Sequence, residues 1–197
     1  MDSLIYYIKV LASQAEISKN HLLSEWGSIL IKETLFYLVC LLSDLARSYT
    51  NRLSHVPMHR NNLPITSLLS QQTNWDIFFP SGKIEVQSGS TTGSDTIDDI
   101  SRFYANIAFI SCTGLTLDGV TEATVGQSRY KDAMLDRAEI KVLLCDHTKF
   151  GNRFFSKTCD IKKLDYIITD QKPPQNYMEQ FEQDGCQLIY PDPADDH

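Results

Sequence analysis

From Trp75 onward the chain alternates short apolar runs with amphipathic segments, and that rhythm sets the first structural expectations. The runs WDIFF (75–79), NIAFISC (106–112), IKVLLC (140–145), LDYII (164–168) and CQLIY (186–190) are short and bounded by turn residues, as buried strands are. Between them lie segments with helical spacing. One begins near Ser94 or Asp95, either of which suits an N-cap, and runs through Phe103. A second spans Ser128 to Ala138, with Tyr130, Met134, Leu135 and Ala138 on one face. A third, Gln175 to Asp184, is closed by Gly185 in the left-handed manner. Strands alternating with helices predict βαβ units, and therefore an α/β, Rossmann-like fold with a mostly parallel sheet and helices on both faces.

The first third of the chain is less regular. Leu22, Leu23, Trp26, Ile29 and Leu30 recur at helical spacing and predict a helix over 17–32. The run LFYLVCLL (35–42) passes into SDLARSYTNRL (43–53) with no glycine or proline between them, so a strand meeting a helix and one continuous helix both fit. His55 to His59 reads as a short strand that Pro57 weakens, and Pro64 to Gln71 as a short helix. QSGSTTGSD (87–95) reads as a Gly/Ser/Thr loop, LTLDGVTEA (115–123) as an irregular loop, and PDPADDH (191–197) as an acidic, frayed tail. No repeat or linker divides the chain, so a single core is expected.

Composition narrows the function. The 197 residues include 42% hydrophobic and 22% charged side chains, an ordinary globular balance. With 18 Lys+Arg against 25 Asp+Glu the net charge is −7, which disfavours a nucleic-acid surface because phosphate binding needs a concentrated basic face. The five cysteines are scattered without a CxxC pair, as expected of reduced core thiols. His55 and His59 have helical spacing, but Pro57 between them makes a metal-binding helix improbable, and no cofactor motif is present. The opening MDSLIYYIKVLASQ lacks signal-peptide features, and the apolar run 35–42 is far short of the roughly 20 residues that span a bilayer. A cytoplasmic protein with no membrane partner is the expectation.

The candidate chemistry gathers between Ile140 and Asp170. Two predicted strands end in aspartates, Asp146 and Asp170, at the edge where an α/β sheet keeps its site, and the turn after the first adds Lys149. A carboxylate and an ammonium on one strand-end turn suit a polar, anionic small molecule. Equally, Asp146 can cap the turn and Lys149 can be a solvated charge. Cys112-Thr113-Gly114 ends another predicted strand where glycine permits close approach, and Lys131, near a helix start, can point into the same crevice or into solvent. The loop from Ser88 to Gly93 offers amides and hydroxyls to an anion, but it lacks a lysine and P-loop spacing, and a surface connection is the plainer reading. No nucleophile arrangement emerges. His147 is the histidine of the turn, and an enzyme would rest on Asp146 and Lys149 moving a proton beside a carbonyl.

A family pattern runs through these residues. NNLPI (61–65), a strand ending in SGK (81–83), TG before a helix (92–93), AFISCTGLTLDGVTEA (108–123), KDAML (131–135), LLCDHTKFG (143–151) and LDYIITD (164–170) occur in an order that resembles the C-terminal effector-sensing domain of DeoR/GlpR-type bacterial transcriptional regulators. The resemblance extends from about Asn61 to Tyr190. It implies a Rossmann-like fold related to ribose-phosphate isomerases and CoA transferases, no catalysis, and a phosphorylated sugar or similar metabolite as effector. It implies effector contacts at Asn62, Gly82, Gly114, Lys131, Asp146 and Lys149. The implied layout is a helical N-terminal extension (1–18), a sensing domain (19–191, degenerate over 19–60) and an acidic tail (192–197).

The chain departs from the family in three places. The family's helix-turn-helix has no counterpart before Lys19, so direct DNA binding is not expected of this chain. LFYLVCLLSDLAR stands where the family has a strand leading into a Gly-Ser/Thr-Thr phosphate loop. Gln127 replaces the glutamate usual before the motif lysine, and Ser81 replaces the glycine paired with Gly82. The resemblance therefore also accommodates a ribose-phosphate-isomerase-like enzyme, or a pocket-dead partner that forms homo-oligomers or joins full-length relatives.

Overall fold

The computed structural model describes residues 58–59, 61–72 and 77–190. The expected elements over 17–53 and the expected tail lie outside the described residues. Two compact units divide the rest, one ending at Tyr104 and the other beginning at Ala105.

In the unit that ends at Tyr104, β1 (Met58–His59) pairs in parallel with β2 (Ile77–Phe78), and α1 (Leu63–Gln72) lies between them in sequence. The expected helix at Pro64 is therefore present, with the proline in its first turn where its missing N–H costs nothing. The segment 87–95 is not a plain loop. β3 (Lys83–Glu85) and β4 (Ser90–Thr92) form an antiparallel hairpin, and Ser90, Thr91 and Thr92 are all buried. Asn61 and Asn62 hold this hairpin in place. The Asn61 amide donates to the Thr91 carbonyl at 3.1 Å and the Asn62 amide to the Ser88 carbonyl at 2.9 Å. A stretch of small polar residues hides such a strand because hydrogen bonding, not an apolar run, secures it. Helix α2 (Ser94–Ser101) follows, and its N-cap is Gly93 with no side-chain bond, rather than Ser94 or Asp95. It ends at Ser101, short of the expected Phe103.

In the unit that begins at Ala105, four parallel strands build the sheet in the order β11 (Gln187–Ile189), β10 (Tyr166–Ile168), β8 (Ala138–Leu144) and β5 (Ala105–Ser111). Helices α3 (Val125–Asp136) and α4 (Gln175–Gln183) flank it, and the arrangement is Rossmann-like, as the alternating pattern predicts. Leu143 and Ile167 on adjacent strands are fully enclosed, and they join Leu115, Leu135, Ile161 and Phe181 in the core. Burial on both faces is why these strands read as continuous apolar runs. Helix α3 begins three residues before the predicted Ser128, because Thr124 caps it by accepting from the Gln127 amide at 3.3 Å. Helix α4 closes as expected, with Gly185 at φ +74° and the Cys186 amide donating to the Phe181 carbonyl at 2.8 Å.

The segment 115–123 is likewise ordered rather than irregular. β6 (Gly114–Thr116) and β7 (Gly119–Glu122) form a hairpin around Leu117 and Asp118, and β9 (Ser156–Cys159) pairs with β7 to complete a three-stranded antiparallel sheet. Leu115 and Val120 anchor it in the core. Gly119 makes the turn possible: its φ is +131°, and an added Cβ would strike the Cys159 carbonyl oxygen. Among the described residues no helix is long and apolar enough to cross a membrane.

Candidate functional site

Because β10, β8 and β5 are parallel neighbours, their C-terminal ends open on one edge of the sheet, with Ile168, Leu144 and Ser111 in register. The chain leaves these strands through Thr169-Asp170, Cys145-Asp146 and Cys112-Thr113-Gly114. Both strand-end aspartates thus stand where the pattern of apolar runs places them.

Asp146 is buried and caps the short 3-10 helix His147–Lys149. Its Oδ1 accepts from the Thr148 amide at 2.9 Å and from the Thr148 hydroxyl, while Oδ2 lies 3.8 Å from the Lys149 ammonium. The turn-capping role and the ion pair therefore coexist. The Lys149 side chain remains 34% exposed, so its charge reaches solvent at the sheet edge. His147 turns the other way. Its amide donates to Asp170 Oδ1 at 2.6 Å, and ring Nδ1 lies 2.8 Å from Asp170 Oδ2, which ties the end of β8 to the end of β10.

Lys131 reaches the end of β5 from α3. Its ammonium donates to the Ser111 carbonyl at 2.9 Å and to Glu122 Oε1 at 2.5 Å. Glu122 Oε2 accepts from the Thr113 hydroxyl at 2.7 Å, so both carboxylate oxygens are engaged. The side chains of Lys131 and Glu122 are 15% and 5% exposed, and the pair is largely withdrawn from water. Glu122 is the residue that sequence reasoning missed. Alternation through LTLDGVTE, around an Asp-Gly turn, is the signal that could have placed it on a strand beside the lysine.

Gly114 is buried where the backbone of the 150–154 turn approaches it. An added Cβ would meet the Asn152 carbonyl and the Phe154 ring. The structure accordingly brings Gly114, Lys131, Asp146 and Lys149 to the strand ends of one unit. Asn62 and Gly82 belong to the other, where Asn62 secures the β3–β4 hairpin. Gly82 has φ +129° and leaves room for Thr96, whose hydroxyl donates to the Ser81 carbonyl at 2.6 Å. Asp99 also holds that turn, accepting from the Ser81 amide at 2.8 Å and the Ser81 hydroxyl at 2.6 Å.

Other charged groups form self-neutralised clusters. An open hollow of about 710 Å³ is bordered by Asp132, Lys157, Cys159, Asp160 and Lys163. Lys163 meets Asp132 at 2.5 Å and Asp136 at 2.7 Å, and although burial works to lower its pKa, the two carboxylates prevail and hold it above the ordinary lysine value. Lys157 bonds to Asp160, which lies below the usual carboxylate range as a result. Among the described residues no group of three or more His, Cys, Asp or Glu side chains could hold a metal ion.

Comparison with known proteins gives this geometry a family. The model of the DeoR C terminal sensor domain matches residues 46–171. The HTH-type transcriptional repressor GlcR of Bacillus subtilis is 26% identical over 129 residues, covering 66% of this chain and 50% of that protein. The glycerol-3-phosphate regulon repressor of Escherichia coli is 26% identical over 136 residues, covering 68% of this chain and 54% of its own length. The HTH-type transcriptional regulator IolR of Bacillus subtilis is 27% identical over 124 residues, covering 62% and 49%. The chain spans about half the length of these curated relatives. With the family model matching well over half of it, the chain belongs to the DeoR C-terminal sensor domain family.

Proposed function

We propose that this chain is the effector-sensing domain of a DeoR-type transcriptional regulator and that its effector is a phosphorylated sugar or a related metabolite. The observation that carries the reading is the placement of Lys149 beside Asp146 at the C-terminal end of β8, on the sheet edge where α/β folds receive ligands. A partly exposed ammonium next to an oriented carboxylate matches a ligand that bears both an anionic group and hydroxyls. The Escherichia coli relative, a glycerol-3-phosphate regulon repressor, points to the same chemical class.

Sensing fits the geometry better than isomerisation does. A general base needs a carboxylate oxygen within reach of a substrate proton. Asp146 instead has Oδ1 engaged by Thr148 and Oδ2 facing Lys149. The residue shapes a turn, and the turn presents the lysine.

In a sensor, effector binding must favour one assembly over another, since a ligand shifts an equilibrium only by its differential affinity for the two states. The assembly proposed for this chain is a homo-oligomer or a mixed oligomer with a relative of the same family. Thermal denaturation with a panel of sugar phosphates tests the reading. A true effector at a hundredfold excess over Kd adds about 2.7 kcal/mol of stability. At the same concentration the shift should fall to about half or less in Lys149→Ala. Turnover of a sugar phosphate by the wild type would overturn the sensing reading in favour of an enzyme.

A further inference from the structure

The Glu122–Lys131 pair bears on how the effector is oriented. An ammonium carries three N–H donors, and two of those on Lys131 are committed to the Ser111 carbonyl and to Glu122. One remains for a ligand. Glu122 is itself fully engaged, through Lys131 on one oxygen and the Thr113 hydroxyl on the other, and it is buried. Withdrawn from water, such a pair is electrostatically strong, and an incoming anion would have to displace a carboxylate already in position. The charges at the strand ends agree. Each ammonium there already faces a carboxylate, Lys131 that of Glu122 and Lys149 that of Asp146.

Taking the sensing reading as given, we infer that Glu122 is a specificity-determining residue: it neutralises Lys131 from within, so the Lys131 corner of the site receives the uncharged, hydroxyl-bearing end of the effector and turns its phosphate away. Lys131 then offers a single N–H to a hydroxyl or carbonyl oxygen. Glu122 lies on β7 and Lys131 on α3, so the charge of this corner depends on the hairpin that carries the carboxylate.

The test is a titration of the whole chain with inorganic phosphate at low ionic strength, in the wild type, in Glu122→Gln and in the double variant Glu122→Gln/Lys131→Met. Glu122→Gln keeps the shape and releases the Lys131 charge. It should bind phosphate at least tenfold more tightly than the wild type, and the double variant should lose that gain. Equal phosphate affinity in the wild type and Glu122→Gln, or a gain that survives in the double variant, overturns the assignment. Should Glu122→Gln fail to fold, Thr113→Val loosens the same carboxylate by removing the hydroxyl bonded to it, and should give a smaller gain of the same sign. No gain there also overturns it. The probe separates this inference from the sensing reading. A wild type that binds no sugar phosphate defeats the sensing reading while the phosphate gain in Glu122→Gln can still stand. Sugar-phosphate binding with no gain in Glu122→Gln defeats the inference alone.

Discussion

The Tyr177 hydroxyl on α4 donates to the Leu115 carbonyl on β6 at 3.1 Å and accepts from the Gly151 amide at 2.8 Å. One oxygen thus ties the last helix to the β6–β7 hairpin and to the turn that follows Lys149. Phe150 packs edge-on against the same ring, with centroids 5.0 Å apart. Tyr177→Phe keeps the ring packing and removes both hydroxyl bonds, while the Gly151 amide still donates to the Leu115 carbonyl at 2.8 Å. It should destabilise the fold by about 0.5–1.5 kcal/mol, read by chemical denaturation. Because the turn it loosens carries Lys149, any effector affinity should weaken as well.

Gly114→Ala should cost about 1–3 kcal/mol, since the new methyl group meets the Asn152 backbone and the Phe154 ring rather than open space. Gly93→Ala provides the contrast. Its φ of +115° strains any side chain, but nothing lies near the added atom, so its penalty is one of backbone conformation alone. Thermal melts of the two variants compare a steric cost with a conformational one.

Lys149→Ala should separate binding from folding. The Asp146–Lys149 pair is partly exposed and 3.8 Å long, so its loss should change stability by less than about 1 kcal/mol. Effector affinity should fall at least tenfold in the same variant. A comparable loss of stability and affinity would make Lys149 a structural residue.

The thiols supply a pH prediction. Burial pushes Cys159 and Cys186 up to about 12, and it raises Cys145 as well, with the Cys112 side-chain hydrogen bond as the first cause. A thiol whose folded pKa exceeds its unfolded one keeps the proton longer in the native state. These groups therefore contribute full stability below about pH 9, and the contribution is lost as pH rises towards 12. Denaturant midpoints should fall over that window. At neutral pH these cysteines should resist alkylation until the protein unfolds, as peptide mass spectrometry would record.

How much of this was legible in the sequence follows from what stabilises each element. The strands β5, β8, β10 and β11 are buried by the sheet's own packing and announce themselves as apolar runs. The hairpins do not. Ser90, Thr91 and Thr92 are small and polar, and nothing in their composition distinguishes a paired strand from a loop. The same difficulty concealed β7, and with it Glu122, the partner of Lys131. Asp146 and Asp170 were legible as strand ends because the apolar runs fix where the strands stop. That His147 turns to Asp170, while Asp146 turns to Thr148, depends on the direction of the short 3-10 helix, which no periodicity encodes.

The most direct measurement is isothermal calorimetry of the purified chain against matched pairs of phosphorylated and unphosphorylated sugars. A sensing domain should bind at least one phosphorylated member saturably, more tightly than its unphosphorylated counterpart, and lose that preference in Lys149→Ala. Flat titrations with every phosphorylated sugar, or equal affinity for both members of a pair, would contradict a phosphorylated effector at this site.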